Sequence, residues 1–218
     1  MDVVTALRTR SSIRAFKPDA VDEATLRRVL DAAREAPSWS NTQPYLLAVA
    51  TGERCEAMRI EMLVAIDTKV PEGDYPMFME YPTPLKERRQ ATGYGLYAKL
   101  GIAREDRERR AEQFRKNYAF FDAPVVMFLF AHEALSEYAV LDAGIYLQSL
   151  LLAATAEGFG TCAQAALAGF PEVVRKHFAV PAAYKLLCGI ALGHGAEDEV
   201  NTFRPARASL NDILITAR

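Results

Sequence analysis

Residues 124–131 read PVVMFLFA, and this run decides what kind of fold the rest of the chain can complete. It has no charged side chain and is rich in valine and phenylalanine, which favour β-strands. A short apolar run of this kind predicts a strand buried in the interior.

The segment that follows is predicted to be a long apolar helix. Its pattern runs from Ser136 or Glu137 to Glu157, and Gly158 is expected to terminate it. A helix that is apolar on most faces has to be buried, either centrally or in a subunit interface. Its apolar positions are Leu141, Ile145, Leu147, Leu150, Leu151 and Leu152.

Shorter elements complete the second half of the chain. The pattern predicts a strand over 161–166, a helix over 171–178 and a strand over 185–192. The run Ile213-Leu214-Ile215 is expected to pair at a sheet edge, in this subunit or in a neighbouring one.

The first half shows the same alternation of helices and strands. Asp22 is a suitable cap for a helix with apolar residues at 3.6-residue spacing, and Pro37 ends it. A buried strand over 45–51 and an amphipathic helix over 53–66 follow. Strands separated by helices predict a mixed α and β architecture. The apolar positions of the first helix are Leu26, Val29, Leu30 and Ala33.

Residues 68–121 differ in composition from the rest of the chain and are predicted to form an insertion or lid. They combine four prolines with aromatic residues and a charge-dense helix over 104–116. That helix has too little apolar surface to support a core of its own. The aromatic residues are Tyr75, Phe78, Tyr81, Tyr94 and Tyr97.

Composition limits the classes of function. The 218 residues carry a net charge of −2 and are half hydrophobic, which is typical of a soluble globular domain. No global charge attracts nucleic acid, and no apolar run is expected to reach the roughly 18 residues that cross a bilayer. Cys55, Cys162 and Cys188 are far apart, so neither a disulfide framework nor a metal site is predicted. The expected compartment is the cytoplasm.

The run Arg10-Ser11-Ser12-Ile13-Arg14 places two cations and two hydroxyls within five residues. Guanidinium forks and hydroxyl donors bind phosphate groups, but such a run is also typical of a solvated turn. Arg204 and Arg207 form a second basic pair near the other end of a nearly neutral chain. This distribution favours a phosphate held by cations from both ends of the sequence.

Residues 36–45 read APSWSNTQPY and combine prolines, hydroxyls and amides. Polar groups on a stiff loop suit the edge of a planar heterocycle, although the same residues are also good turn formers. Gln43 is expected to brace the loop. Trp39 is a candidate to stack near such a ring or to form a wall of a substrate pocket.

Residues 158–166 read GFGTCAQAA and lack the spacing of a phosphate-binding loop. Their small side chains would instead let the backbone approach a flat ring. The sequence places no acid, serine or cysteine at a spacing typical of catalytic pairs from any of the histidines His132, His177 and His194. No nucleophile–base pair is therefore predicted. We therefore expect no catalytic side chain, which fits an enzyme whose reactive atom belongs to a cofactor.

The runs 10–16, 36–45 and 201–207 together resemble the signatures of the FMN-dependent nitroreductase family. Residues 86–99 resemble the lid of the nitrobenzoate-reductase branch. The resemblance implies an α+β fold in which a central, mostly antiparallel sheet is wrapped by helices. It also implies a single FMN-binding domain over 1–218 and an intertwined homodimer with flavin at the interface.

The resemblance implies which residues surround FMN. At the phosphate end, Arg10, Ser12 and Arg207 would hold the phosphate. Ser11 would meet the phosphate or the ribityl chain, Arg14 the pyrimidine ring or solvent, and Arg204 is a further basic candidate.

At the ring end, a loop of one subunit would reach the partner's flavin through Pro37, Ser38, Trp39, Ser40 and Asn41. The amides of Ala165 and Ala166 would face flavin N5 and O4, with Gln164 alongside. Asn117, or its neighbour Lys116, would lie on the pyrimidine edge.

The implied function is an NAD(P)H oxidoreductase of the nitroreductase type. NADH or NADPH would deliver hydride to flavin N5, and a nitroaromatic, a quinone or a similar flat acceptor would then be reduced at the same site, giving ping-pong kinetics. Alternatives are a flavin-dependent dehalogenase, a flavin-modifying relative and a non-catalytic FMN-binding dimer. Lid residues that are candidates to touch the substrate are Lys86, Arg88, Arg89, Tyr94, Tyr97 and Lys99.

Overall fold

The computed structural model describes residues 1–76 and 80–215 and has a four-stranded antiparallel sheet at its centre. The strands lie in the order β1-β2-β4-β3, so β2 is an inner strand. Their bounds are Tyr45–Thr51 (β1), Val125–His132 (β2), Gly160–Gln164 (β3) and Tyr184–Gly193 (β4). The predicted α+β fold with a central antiparallel sheet is confirmed.

Seven α-helices accompany the sheet in the described parts of the chain. The helix predicted from the Asp22 cap is present, and the Asp22 carboxylate accepts a bond from the Thr25 amide. The helices are Val3–Thr9 (α1), Glu23–Ala33 (α2), Gly52–Thr68 (α3), Thr83–Lys99 (α4), Arg107–Arg115 (α5), Ser136–Ala156 (α6) and Pro171–His177 (α7).

Strand β2 is apolar and buried from Val125 to Ala131, and both of its faces are covered. Successive side chains of a strand point to opposite faces of the sheet. Phe128 and Phe130 lie in one buried cluster with Met58 of α3. Met127 and Leu129 lie in a second cluster, together with residues of α2 and α6. The two layers of the core therefore meet at this strand.

Helix α6 covers the second face and is only partly buried in the single chain. Ala143 and Leu150 are fully buried, whereas Tyr138 and Leu141 are 52% and 59% exposed. By length and composition alone, residues Glu133–Ala156 could cross a membrane, which corrects the expectation that no such run exists. The core helix of a soluble protein passes the same test, and 44% of this segment's apolar window is buried inside the chain.

Most predicted element boundaries differ from the observed ones by one or two residues, and two of the differences have identifiable local causes. Strand β3 ends at Gln164, because Ala165–Gly169 turn into a 3-10 helix. Helix α5 begins at Arg107 and not at residue 104, because the Asp106 carboxylate caps it by accepting a bond from the Arg109 amide at 3.0 Å.

The run 213–215 forms no strand within the described residues. Its three side chains are at least 61% exposed. The prediction that this run pairs with the sheet of its own subunit is therefore wrong. Pairing with a neighbouring subunit stays a prediction.

Residues 68–121 contain α4 and α5, and the start of this segment is firmly attached to the sheet layer. The Asp74 carboxylate accepts two bonds from the Arg175 guanidinium, at 3.3 and 2.8 Å, and one from the Leu186 amide at 2.7 Å. Phe78, predicted as a lid aromatic, lies outside the described residues. The lid role of the segment stays a prediction.

Candidate functional site

The basic run near the N-terminus is held against the start of β3. Ser12 forms a parallel bridge with Thr161, and the Ile13 amide donates to the Thr161 carbonyl at 2.9 Å. Farther along, the Lys17 amide donates to the His194 carbonyl at 2.8 Å. The segment that carries Arg10 and Arg14 is therefore fixed by the sheet rather than left as a solvated turn.

Asn201 joins this N-terminal segment to the C-terminal segment. Its Oδ1 accepts bonds from the amides of Arg14 and Ala15, at 2.7 and 3.2 Å. Its Nδ2 donates to the carbonyls of Ala15 and Ala196, at 2.8 and 2.9 Å. One side chain thus fastens two stretches of backbone that are almost 190 residues apart.

The two basic stretches line one cavity of about 390 Å³, which we call the anion cradle. Residues from both ends of the chain contribute guanidinium and hydroxyl groups to it. The lining consists of Leu7, Arg8, Arg10, Ser11, Ser12, Arg14, Phe203, Arg204, Pro205 and Arg207.

The arginines of the cradle are not neutralised by acidic partners in residues 1–76 and 80–215. The guanidiniums of Arg14, Arg204 and Arg207 donate only to backbone carbonyls. Burial, and then the charges of Arg207 and Arg204, lower the pKa of Arg10. Clustered cations that repel one another in a cavity with hydroxyl groups favour the binding of a phosphate.

The loop at residues 38–43 is braced by hydrogen bonds among its own residues. Ser40, Asn41 and Gln43 all have positive φ, between 46° and 56°, although none is glycine. The Ser38 hydroxyl accepts a bond from the Gln43 amide, and the Gln43 side chain donates to both oxygens of Asn41. The strained backbone is therefore held by side chains of the loop itself, and the bracing role predicted for Gln43 is confirmed.

Asp142 of α6 fixes the start of this loop by accepting hydrogen bonds from its backbone. It is 3% exposed, and both carboxylate oxygens lie 3.1 Å from the Trp39 amide, which donates to them. The Trp39 ring packs edge-on against Tyr138, with centroids 4.1 Å apart, and remains 55% exposed. Helix α6 therefore presents this loop, with its tryptophan, on the surface.

The end of β3 meets the segment after α5. The Gln164 side chain donates through Nε2 to the Asn117 carbonyl at 2.8 Å, and its buried Oε1 has no hydrogen-bond partner in the described structure. The Asn117 side chain turns back to the Phe114 carbonyl at 2.9 Å. Ala165 is exposed and Ala166 is half-buried, so small residues face open space here.

A sequence model of the nitroreductase family matches residues 7–194. The chain belongs to this family. The match spans the N-terminal cradle residues, the loop at 38–43 and all four strands.

Individual relatives cover most of this nitroreductase. A 4-nitrobenzoate reductase of Nocardioides sp. is 39% identical over 193 residues, which is 86% of this chain and 78% of the relative. A 4-nitrobenzoate reductase of Pseudomonas putida is 32% identical and covers 94% and 90% of the two chains. The structure of the FMN-dependent nitroreductase NfnB from Mycobacterium smegmatis in complex with NADPH has a TM-score of 0.92, with 35% identity and full coverage of both chains.

The structure brings some predicted site residues of this nitroreductase together and leaves others apart. Arg10, Ser11, Ser12, Arg14, Arg204 and Arg207 share the cradle. Residues 37–41 are absent from the cradle lining, and the role of their loop at a partner subunit stays a prediction. Gln164 contacts the Asn117 carbonyl, while the Asn117 side chain bonds to the Phe114 carbonyl. The position of Asn117, or of Lys116, on the pyrimidine edge of the flavin stays a prediction.

Sequence reasoning missed the residues that position the site. Asn201 belongs to the quoted C-terminal run, yet nothing in the run shows that its amide fastens residues 14 and 15. Asp142 is the one acid in the apolar stretch 138–156. A single acid in such a stretch indicates a buried carboxylate that needs a hydrogen-bond partner.

The donors of the cradle fit the phosphate of FMN, because they combine guanidiniums from two directions with two serine hydroxyls. The small residues at 165 and 166 fit a flat ring at the end of β3, since they leave the backbone accessible. Of the lid candidates, Tyr94 and Tyr97 already stack under Arg104 and Arg110, at 5.0 and 5.1 Å.

Proposed function

We propose that this nitroreductase is an FMN-dependent NAD(P)H oxidoreductase that reduces nitroaromatics, quinones or similar flat acceptors by a ping-pong mechanism. The observation that carries the proposal is the anion cradle, where unpaired arginines from both ends of the chain converge on one cavity. Relatives named 4-nitrobenzoate reductase and an FMN-dependent, NADPH-bound neighbour support the same activity.

Within this proposal, Arg10, Ser12 and Arg207 bind the phosphate of FMN, assisted by Ser11 and Arg204. Arg14 also lines the cradle, and its backbone amide is held by Asn201. The bound flavin supplies a two-electron carrier whose N5 accepts and returns hydride. The exposed backbone at Ala165 and Ala166, with Gln164 beside it, orients the ring.

The protein acts as a homodimer in this proposal. Apolar side chains of α1, of α6 and of the loop at 38–43 are exposed in the single chain, and contiguous exposed apolar surface marks an interaction site. A partner subunit covers them and receives the loop of Pro37, Ser38, Trp39, Ser40 and Asn41 at its flavin. The exposed side chains are Val3, Val4, Leu7, Trp39, Tyr138 and Leu141. The cytoplasm is the proposed compartment.

The test is the visible spectrum of the purified protein under anaerobic conditions. We expect flavin absorption that bleaches when NADPH or NADH is added and returns when 4-nitrobenzoate follows. Flavin that stays oxidised with both donors would instead identify a non-catalytic FMN-binding protein. A protein that remains colourless after incubation with FMN would contradict the proposal altogether.

Substitution of Arg10 tests the cradle itself. Arg10→Gln removes a charge-assisted contact to the phosphate and should weaken FMN binding by about tenfold or more. Arg27→Gln is the matched control, because Arg27 is 78% exposed on α2 and pairs with Glu23. Titration of the apoproteins with FMN, followed by flavin fluorescence, compares the two. Equal affinities would remove Arg10 from the binding site.

A further inference from the structure

A second cavity adjoins the anion cradle on the other side of the C-terminal segment. It has a volume of about 410 Å³ and shares the residues Phe203, Arg204, Pro205 and Arg207 with the cradle. Helix α4 supplies its opposite wall through Arg88, Ala91 and Thr92. The segment 203–207 is therefore a partition with a cavity on each side, and we call the new cavity the lid cavity.

The partition is positioned by close packing against α4. A Cβ placed on Gly95 would lie 3.0 Å from the ring of Phe203, which is closer than ordinary contact. The absence of a side chain at residue 95 thus lets the helix approach the partition. This contact lies about two helical turns from Arg88 and holds α4 next to the segment that carries Arg204 and Arg207.

The lid cavity is basic and has no acidic residue in its lining. Arg88, Arg204 and Arg207 contribute three guanidiniums, and within the described residues none of them forms an ion pair. The Asp212 carboxylate lies within electrostatic reach of Arg88, but it accepts bonds from the amide and the hydroxyl of Ser209, at 2.9 and 2.8 Å. Three guanidiniums without ion pairs around one concavity favour the binding of an anion with more than one charge.

We propose that the lid cavity binds a phosphate monoester, the 2′-phosphate of NADPH, and that Arg88 is the residue that selects NADPH over NADH. This inference rests on the proposed function. The two donors differ only in that phosphate group, so discrimination requires an anion site separate from the one that holds the phosphate of FMN. The lid cavity is such a site, and its position beside the cradle keeps it close to the flavin.

Arg88 is the discriminating residue because it belongs to the lid cavity alone. Arg204 and Arg207 face both cavities, so substitution of either also disturbs the phosphate of FMN. Arg88 lines only the second cavity and is exposed on α4. Its guanidinium can bind a phosphate with two parallel hydrogen bonds, which a lysine cannot reproduce.

The first experiment measures binding to the FMN-loaded protein by titration calorimetry, with 2′,5′-ADP and 5′-AMP as the probes. We expect 2′,5′-ADP to bind at least about tenfold more tightly, and we expect this preference to shrink in high salt. Inorganic phosphate, added as a competitor, shows whether the cavity takes any phosphate or requires the nucleotide. Equal affinities for the two nucleotides would overturn the proposal, whatever the variants do.

The second experiment compares the ratio of kcat/KM for NADPH to that for NADH in Arg88→Gln, Arg88→Lys and the wild type. We expect the ratio to fall about tenfold in Arg88→Gln and by less in Arg88→Lys, which keeps the charge. Arg27→Gln, which removes a charge on α2, should leave the ratio unchanged. A ratio unchanged in Arg88→Gln would also overturn the proposal.

Failure of this inference is distinguishable from failure of the proposed function. If the protein bound no flavin or failed to bleach with either donor, the proposed function would fall, and the spectrum alone would show it. If flavin bleaches with both donors but 2′,5′-ADP has no advantage over 5′-AMP, only the role of the lid cavity is wrong.

Discussion

Asn201 shows how much of this site depends on one uncharged side chain. Its amide makes four hydrogen bonds to backbone atoms of residues 14, 15 and 196. These bonds hold Arg14 beside the C-terminal arginines. Loss of the side chain leaves partly buried backbone groups without partners, and such losses are costly.

We predict that Asn201→Ala lowers the free energy of unfolding by about 2–4 kcal/mol. Urea unfolding followed by circular dichroism measures the change. Thr202→Ala is the matched control, because the Thr202 hydroxyl donates only to the nearby Glu199 carbonyl. A loss no larger than that of the control would show that Asn201 does not fasten the two segments.

At the residue scale, the sequence revealed the charges of the site but not the residues that place them. Arg10 and Arg207 were identifiable because cations at both ends stand out in a nearly neutral chain. Asn201 and Asp142 bind backbone amides, and every residue except proline carries one. Their partners are 187 and 103 residues away, so no local pattern identifies them.

Helix α4 contains two glycines whose surroundings differ. A Cβ on Gly93 would have no neighbour within 4 Å, whereas one on Gly95 would press on the ring of Phe203. Glycine in a helix interior costs about 1 kcal/mol relative to alanine. The same substitution therefore has different results at the two positions.

We predict that Gly93→Ala raises the melting temperature by about 2–4 °C. Gly95→Ala should raise it by less, or lower it, because Phe203 has to move. Differential scanning calorimetry of the two variants tests this. Equal gains would mean that α4 does not rest on Phe203.

At the element scale, bounds were predicted well where a cap or a breaker marks them. Strand β1 was predicted at 45–51, as found, since Pro44 and Gly52 flank it. Helix α1 was missed because it has only seven residues and its cap, Asp2, lies next to the start of the chain. The predicted start of helix α5, residue 104, is three residues before the observed start at Arg107, because the charged residues on either side of Asp106 follow the same pattern.

For the molecule as a whole, buried weak acids make the free energy of unfolding decrease at alkaline pH. Burial raises the pKa of Cys188 from about 9.0 to about 12. Burial, and then the nearby Tyr45, raises the pKa of Tyr146 from about 10.0 to about 12. Above pH 9 the unfolded chain releases protons that the folded chain retains, so unfolding becomes more favourable as pH rises.

We predict that the free energy of unfolding is insensitive to Cys188 ionisation below pH 9 and declines between pH 9 and 12. The decline should be shallower in Cys188→Ala, because that variant has no thiol to titrate. Urea midpoints at several pH values compare the two slopes. Identical slopes would show that Cys188 is not protected from solvent.

The architecture of the molecule was predictable because a family resemblance added what periodicity lacks. The alternation of strands and helices indicated a mixed fold, but strand order comes from pairing between distant segments. The order β1-β2-β4-β3 places the last strand between β2 and β3, and no local pattern contains that information. The family comparison confirms the fold.

The cradle that joins the two ends of the chain has a consequence for biosynthesis. During synthesis, Arg8, Arg10 and Arg14 are made well before Arg204 and Arg207. A polypeptide interrupted before residue 204 therefore has three of the five arginines of the cradle. If the cradle holds the phosphate of FMN, as proposed, such a polypeptide should bind FMN more weakly than the chain that includes residue 207.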